Sequence, residues 1–192
     1  MKAPCRTICW TPKKGVGLEH LLLRERAADS VVLAFDDTHG PFRLMYRLNW
    51  EDSWQLRDAE LVVATDRFTR SLDLQTDGQG HWRHRGGADI EDLDGCLDID
   101  IWPTPFTNTF PIRRALLEVG ERRQFRMAWI CAPELTVQAQ AQAYTRLADR
   151  LYLFEALDGS GFTAELSVDE DCIVLDYPDL FRRVPDDAWR ST

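Results

Sequence analysis

No stretch of this chain stays apolar for long. The longest uninterrupted apolar run, Met127 to Ala132, spans six residues, far short of the roughly 20 needed to cross a bilayer as a helix. Stable membrane insertion is therefore not expected. No apolar segment follows Met1-Lys2-Ala3-Pro4-Cys5-Arg6, where a secretory signal would carry its hydrophobic core, so a cytoplasmic location is the expectation. Positive charge is scarce too: 23 Lys and Arg stand against 32 Asp and Glu, a net charge of -9. A phosphate backbone is repelled by that field, and nucleic acid is not an expected partner.

A cysteine framework is also missing. Cys5, Cys9, Cys96, Cys131 and Cys172 are odd in number and scattered, which fits reduced thiols. Cys5 and Cys9 are spaced C-x3-C with no second pair, and no tetrahedral zinc site follows from them. The sequence has no G-x-S-x-G elbow, H-E-x2-H pair, Walker loop or G-x-G-x2-G turn, and Gly78-Gln79-Gly80 lacks a third glycine and a following helix. No catalytic residue, metal or cofactor is assigned.

What the chain does have is alternation. Phe42, Leu44, Tyr46, Leu48 and Trp50 share one parity while Arg43, Arg47 and Asn49 share the other, as on a half-buried antiparallel strand. The same period recurs at Leu72 and Leu74, at Leu97, Ile99 and Ile101 against Asp98 and Asp100, at Phe125 to Cys131, and at Phe162 to Val168. Val137 to Tyr144 is rich in Ala and Gln, both helix formers, yet its period is two and it follows Pro133, so a strand is expected. Its small alanine face would admit a helix or an apolar ligand at close range. Turn sequences such as Asp36-Asp37-Thr38-His39-Gly40-Pro41 and Asp158-Gly159-Ser160-Gly161 punctuate these runs. One helix is expected between Thr104 and Val119, with Ile112, Leu116 and Val119 at helical spacing. About a dozen strands exceed what an open twisted sheet carries without curling, so the sheet must close, split or wrap around that helix. No linker or repeat divides residues 1–192, and a single domain is expected.

Acidic residues crowd Asp89 to Asp100, but placing Gly95 as the glycine of a calcium loop puts Ile90 and Ile101 where oxygen ligands must stand. Asp98 and Asp100 share one strand face about 7 Å apart, a spacing open to acid–base work and equally to neutralising Arg113 or Arg114. The two histidines of His81-Trp82-Arg83-His84 point to opposite faces of a strand. Of the seven tryptophans, Trp10, Trp50, Trp54, Trp82, Trp102, Trp129 and Trp189, most are expected to pack and one or two to line a cavity.

The run Asp94-Gly95-Cys96-Leu97-Asp98-Ile99-Asp100-Ile101-Trp102-Pro103-Thr104-Pro105-Phe106-Thr107-Asn108-Thr109-Phe110-Pro111-Ile112-Arg113-Arg114 resembles the signature of the bacterial family named for glycolipid binding. Trp82-Arg83, Tyr144-Thr145, Val168 to Asp171 and Asp176 to Phe181 extend the resemblance over most of the chain. It departs at Phe110 and Ala115, where leucines are expected, which changes the apolar surface around the motif. The resemblance implies a spiral β-roll, all-β and mainly antiparallel, wrapped around a single short α-helix. It further implies a homodimer and a role in holding an amphipathic glycolipid or lipid.

On that basis Trp82, Asp98, Asp100, Thr107, Asn108, Arg113 and Arg114 are the candidate ligand contacts. An arginine fork suits a phosphate or carboxylate, and the Asn, Thr and Asp side chains suit sugar hydroxyls. The same residues have a structural reading, with Thr107-Asn108-Thr109 capping a helix and Arg113 paired to Asp98 or Asp100. That reading is favoured, because buried polar groups need partners with or without a ligand. Two alternatives stand beside lipid binding: a hydrolase-like enzyme on a lipid or sugar conjugate using Asp98 or Asp100 with an arginine anion clamp, and a ligand-free structural or dimerisation module.

Overall fold

In the computed structural model, which describes residues 5–188, fourteen strands form one sheet. The first seven are β1 (Arg6–Pro12), β2 (Leu18–Leu23), β3 (Ala27–Asp36), β4 (Gly40–Trp50), β5 (Leu56–Ala64), β6 (Thr69–Thr76) and β7 (Trp82–His84). Then come β8 (Asp98–Trp102), the helix α1 (Thr109–Ala115), β9 (Arg122–Cys131), β10 (Thr136–Ala148) and β11 (Leu151–Ala156). The last three are β12 (Thr163–Val168), β13 (Val174–Tyr177) and β14 (Phe181–Arg183). The strand order is β7-β6-β5-β4-β3-β2-β1-β14-β13-β12-β11-β10-β9-β8. Every neighbouring pair is antiparallel except β8 and β9. The sheet does not close: β7 and β8 are its two free edges.

The alternation legible in the sequence sets the burial. Phe42, Leu44, Tyr46, Leu48 and Trp50 are all buried, and β10 is the strand its two-residue period predicts. A first core joins the inner faces of β1 to β7 with Ile99 and Ile101 of β8 and Ala128 and Ile130 of β9. A second core takes the opposite parity of β9, Phe125 and Met127, and packs it with Tyr144, Phe154, Leu166 and Tyr177. Strands β8 and β9 are thus covered on both faces, because the sheet spirals until one end lies inside the rest. That coverage buries Asp98, which is 1% exposed, and it pairs with Arg114, one of the two arginines expected to neutralise it.

The two edges meet through their loops. Gly95 N donates to Gly80 O at 3.0 Å, and a Cβ on Gly80 would stand 2.9 Å from the Gly95 α-carbon, so only glycine lets these backbones approach. The helix is shorter than expected. A 3-10 turn, Phe106–Asn108, runs into α1, and the chain turns out at Leu116 with φ 49. Arg123 Nη1 donates to Ala115 O at 3.1 Å and Arg146 Nη1 to Leu117 O at 2.9 Å, satisfying carbonyls that a longer helix would have used. Leu116 and Val119, apolar and at helical spacing, are exposed. Pro111 sits in the first turn, where it forfeits no hydrogen bond. Among the described residues no helix is long and apolar enough to cross a membrane.

Candidate functional site

Two features compete for attention, and the signature motif supplies the first. Arg114, in the last turn of α1, reaches the face of β8 opposite Ile99 and Ile101 and forks onto Asp98, with Nε to Oδ1 at 3.0 Å and Nη2 to Oδ2 at 2.6 Å. Burial raises the Asp98 carboxyl above its usual range, and the Arg114 hydrogen bonds oppose it. Asp98 in turn raises Arg114. Asp100 accepts from Thr107 Oγ1 at 3.0 Å and from Gln142 Nε2 at 2.6 Å. It has no cation, and burial pushes its carboxyl up. Thr107 Oγ1 also accepts from Ile101 N at 3.2 Å. Asn108 Nδ2 donates to Pro105 O at 3.1 Å, and its Oδ1 accepts from Tyr144 at 2.7 Å.

The helix N-terminus therefore has no side-chain cap, contrary to expectation, because Thr107 and Asn108 are drawn sideways to β8 and β10. Five of the seven candidates gather in this region in three separate hydrogen-bonded sets, Arg114 with Asp98, Thr107 with Asp100, and Asn108 with Tyr144. The other two lie apart from it. Arg113 does not pair with either aspartate: its guanidinium lies 4.8 Å from the Trp54 ring centre and donates to Asp171 O at 2.9 Å. Trp82 is fully buried at the far edge, donating to Cys96 O at 2.7 Å. Asp100 and Asn108 also line a recess of only about 50 Å³ beside Trp102, Tyr177 and Phe181.

The second feature is a groove of about 1310 Å³ that none of the seven candidates lines. Its wall draws Trp10 from β1, Glu19 from β2, Val32 and Ala34 from β3 and Phe42 from β4, all of core-facing parity, and is completed by Trp102, Pro103 and Phe181. Large apolar side chains remain open to solvent along it: Val16 is 86% exposed and Phe35 67%, with Leu18 and Leu33 exposed beside them. A Cβ on Gly17 would stand 2.7 Å from Leu33 O, so the loop there can lie against β3 only with glycine. Lys14, Asp37, Arg43 and Asp179 supply charge to the lining, with Lys14 and Asp179 paired at 3.1 Å. Trp10 and Trp102 are the two groove tryptophans. Trp189 lies outside the described residues.

Glu19 is the anomaly in that wall. It is 3% exposed. Its Oε1 accepts from Ser30 Oγ at 2.8 Å and from the Tyr46 hydroxyl, which also contacts Thr104 Oγ1 at 3.3 Å. Its Oε2 is buried without a partner. Burial lifts the carboxyl to about 7 against the lowering effect of the Tyr46, Thr104 and Ser30 hydrogen bonds. Sequence reasoning passed over Glu19, although a signal was there: it shares its parity with Leu21, placing a carboxylate on the core side of Leu18-Glu19-His20-Leu21.

A family profile described as "Putative glycolipid-binding" matches residues 7–183. The chain belongs to this family. A crystal structure of a DUF1089 family protein from Pseudomonas aeruginosa is 47% identical, with a TM-score of 0.87 over 90% of this chain and 94% of that one. Among curated proteins nothing matches. Of the two positions where this member departs from the expected signature, Phe110 is fully buried edge-on to Trp50 and Trp54, with ring centres 5.4 and 5.5 Å away. Ala115 belongs to the second core. Neither lines the groove, so both changes fall on packing rather than on the shape of the groove.

Proposed function

We propose that the protein binds an amphipathic lipid, with glycolipids in that class, laying its acyl chain along the groove and leaving its polar part at the mouth. The observation that carries this reading is the groove, whose volume of about 1310 Å³ exceeds the roughly 300–1,000 Å³ of ordinary small-ligand pockets. Each methylene moved from water onto such a lining contributes about 0.8 kcal/mol. Ten of them supply roughly 8 kcal/mol before ordering costs. The charged groups of the lining carry both signs, which suits sugar hydroxyls better than it suits a strongly charged headgroup. The family's description points to the same ligand class.

In this reading the signature motif acts one step behind the ligand. The Asp98–Arg114 and Asp100–Thr107 contacts hold the segment that carries Trp102 and Pro103 into the groove wall. Asp98, Asp100, Thr107, Asn108 and Arg114 are positioning residues, and Arg113 and Trp82 anchor neighbouring packing. The role is binding rather than catalysis, since both motif carboxylates are committed to internal partners away from the groove. A homodimeric, cytoplasmic, single-domain carrier completes the reading.

Native mass spectrometry of protein purified gently from its own host, followed by denaturation, tests it. A reproducible adduct of lipid mass, lost in Ala34→Phe where a phenyl ring fills the groove, is the expected result. A bare chain that stays bare after incubation with a lipid extract overturns it.

A further inference from the structure

We propose that Glu19 is the groove's specificity residue, donating a hydrogen bond from Oε2 to an uncharged oxygen of the bound lipid, either an ester carbonyl or a hydroxyl. The inference rests on the reading of the groove as a lipid site. Four buried side-chain polar atoms among the described residues lack a partner, Glu19 Oε2, Arg57 Nε, Thr109 Oγ1 and Gln142 Oε1, and of these only Glu19 belongs to the groove lining. Ser30 and Tyr46 both donate to Oε1. The proton of a neutral carboxyl therefore rests on Oε2, where the protein offers no acceptor. A buried donor left without an acceptor is destabilising, and a ligand oxygen removes that cost. An alkyl chain alone cannot.

The surroundings favour an uncharged partner. Against the Glu19 carboxyl stand the Tyr46 hydroxyl from β4, Ser30 from β3 and Thr104 from the segment after β8, while Cys9 of β1, which pairs with His20 rather than with Glu19, is coupled to it only electrostatically. None is a cation. Lys14, Asp37, Arg43 and Asp179 line the groove without bonding to Glu19. Burial keeps the carboxyl protonated well above its usual range, so near neutral pH the group presents a donor as well as an acceptor. On ionisation it becomes an acceptor only. A lipid hydroxyl can satisfy either form, whereas an ester carbonyl can satisfy only the protonated one.

The test compares a fatty acid methyl ester, a fatty alcohol and an n-alkane of equal chain length, each displacing a fluorescent naphthylamine dye from the groove. Wild type, Glu19→Gln and Glu19→Met are measured at about pH 5 and about pH 9, either side of the carboxyl's titration. The wild type is expected to hold the ester at least tenfold more tightly in acid than in alkali and the alcohol about equally at both. The alkane should not respond to pH.

Glu19→Gln keeps a donor and should lose the pH dependence while keeping its preference for ester over alkane. Glu19→Met should lose that preference. Ester binding that ignores pH in the wild type, or a pH dependence that survives in Glu19→Gln, overturns the role of Glu19 while leaving a lipid groove intact. Failure of all three probes, the alkane included, to displace the dye overturns the groove reading and this inference with it. If Glu19→Met does not fold, the Glu19→Gln profile decides alone.

Discussion

A carboxyl that stays protonated in the fold but ionises in the unfolded chain makes stability fall as pH rises, and Glu19 is placed to do this. Its ordinary value is 4.5 and burial lifts it to about 7. Below the lower value both states carry the proton and Glu19 contributes no pH dependence. Between the two the unfolded chain binds fewer protons than the native state, so the native state loses ground with each step in pH. Above the higher value both are ionised and the loss is complete, at about 3 kcal/mol for a shift of this size. Glu19→Gln keeps the acceptor for Ser30 and Tyr46 and cannot ionise. Urea unfolding of ligand-free wild type and Glu19→Gln, run in parallel from about pH 4 to about pH 8, should show the variant gaining about 3 kcal/mol over that span. The midpoint gain is about 1 M urea or more. Asp98 and Asp100, also raised by burial, titrate in both proteins and cancel in the difference. A difference that stays constant across the range refutes the reasoning, because Glu19 would then ionise as readily inside the fold as outside it.

Other perturbations separate the motif's members. Arg114→Met strands the Asp98 carboxyl in a dry interior and should cost about 3–5 kcal/mol in a urea titration, with Asp98→Leu in the same chain recovering much of it. A smaller loss would mean that Asp98 reaches water. Asp100→Ala leaves Thr107 and Gln142 without their acceptor and should cost about 1–3 kcal/mol. Arg113→Ala, which removes a half-exposed stacking contact over Trp54, should cost only about 0.5–1 kcal/mol. The reverse order for these two by thermal melting would contradict the network described here.

Much of the fold was legible because its strands announce themselves. The alternation of β4 predicts its buried face residue by residue, and the two-residue period of β10 overrides the helix preference of its alanines and glutamines. Coverage of β8 on both faces was not legible. Asp98 and Asp100 alternate with isoleucines as solvent-facing residues do, and only the spiral, a consequence of strands far apart in sequence, buries them. The end of α1 was hidden for a related reason: Leu116 and Val119 continue the apolar spacing, while the chain turns left-handed at Leu116 and arginines from β9 and β10 take the carbonyls of Ala115 and Leu117. The groove was least legible, since its wall joins β1 to β4 with Trp102, Pro103 and Phe181 from much later in the chain. Glu19 alone left a trace, in its parity with Leu21.

The central claim is that the groove holds a lipid chain. Its most direct test is a crystal structure of the protein grown with a monoacylglycerol carrying bromine on its acyl chain, read from the anomalous signal of bromine. The expected result is a bromine peak between Trp10, Phe42 and Phe181, with the glycerol ester oxygens toward Glu19. Bromine found only outside the groove, or an empty groove in crystals saturated with the lipid, contradicts the account.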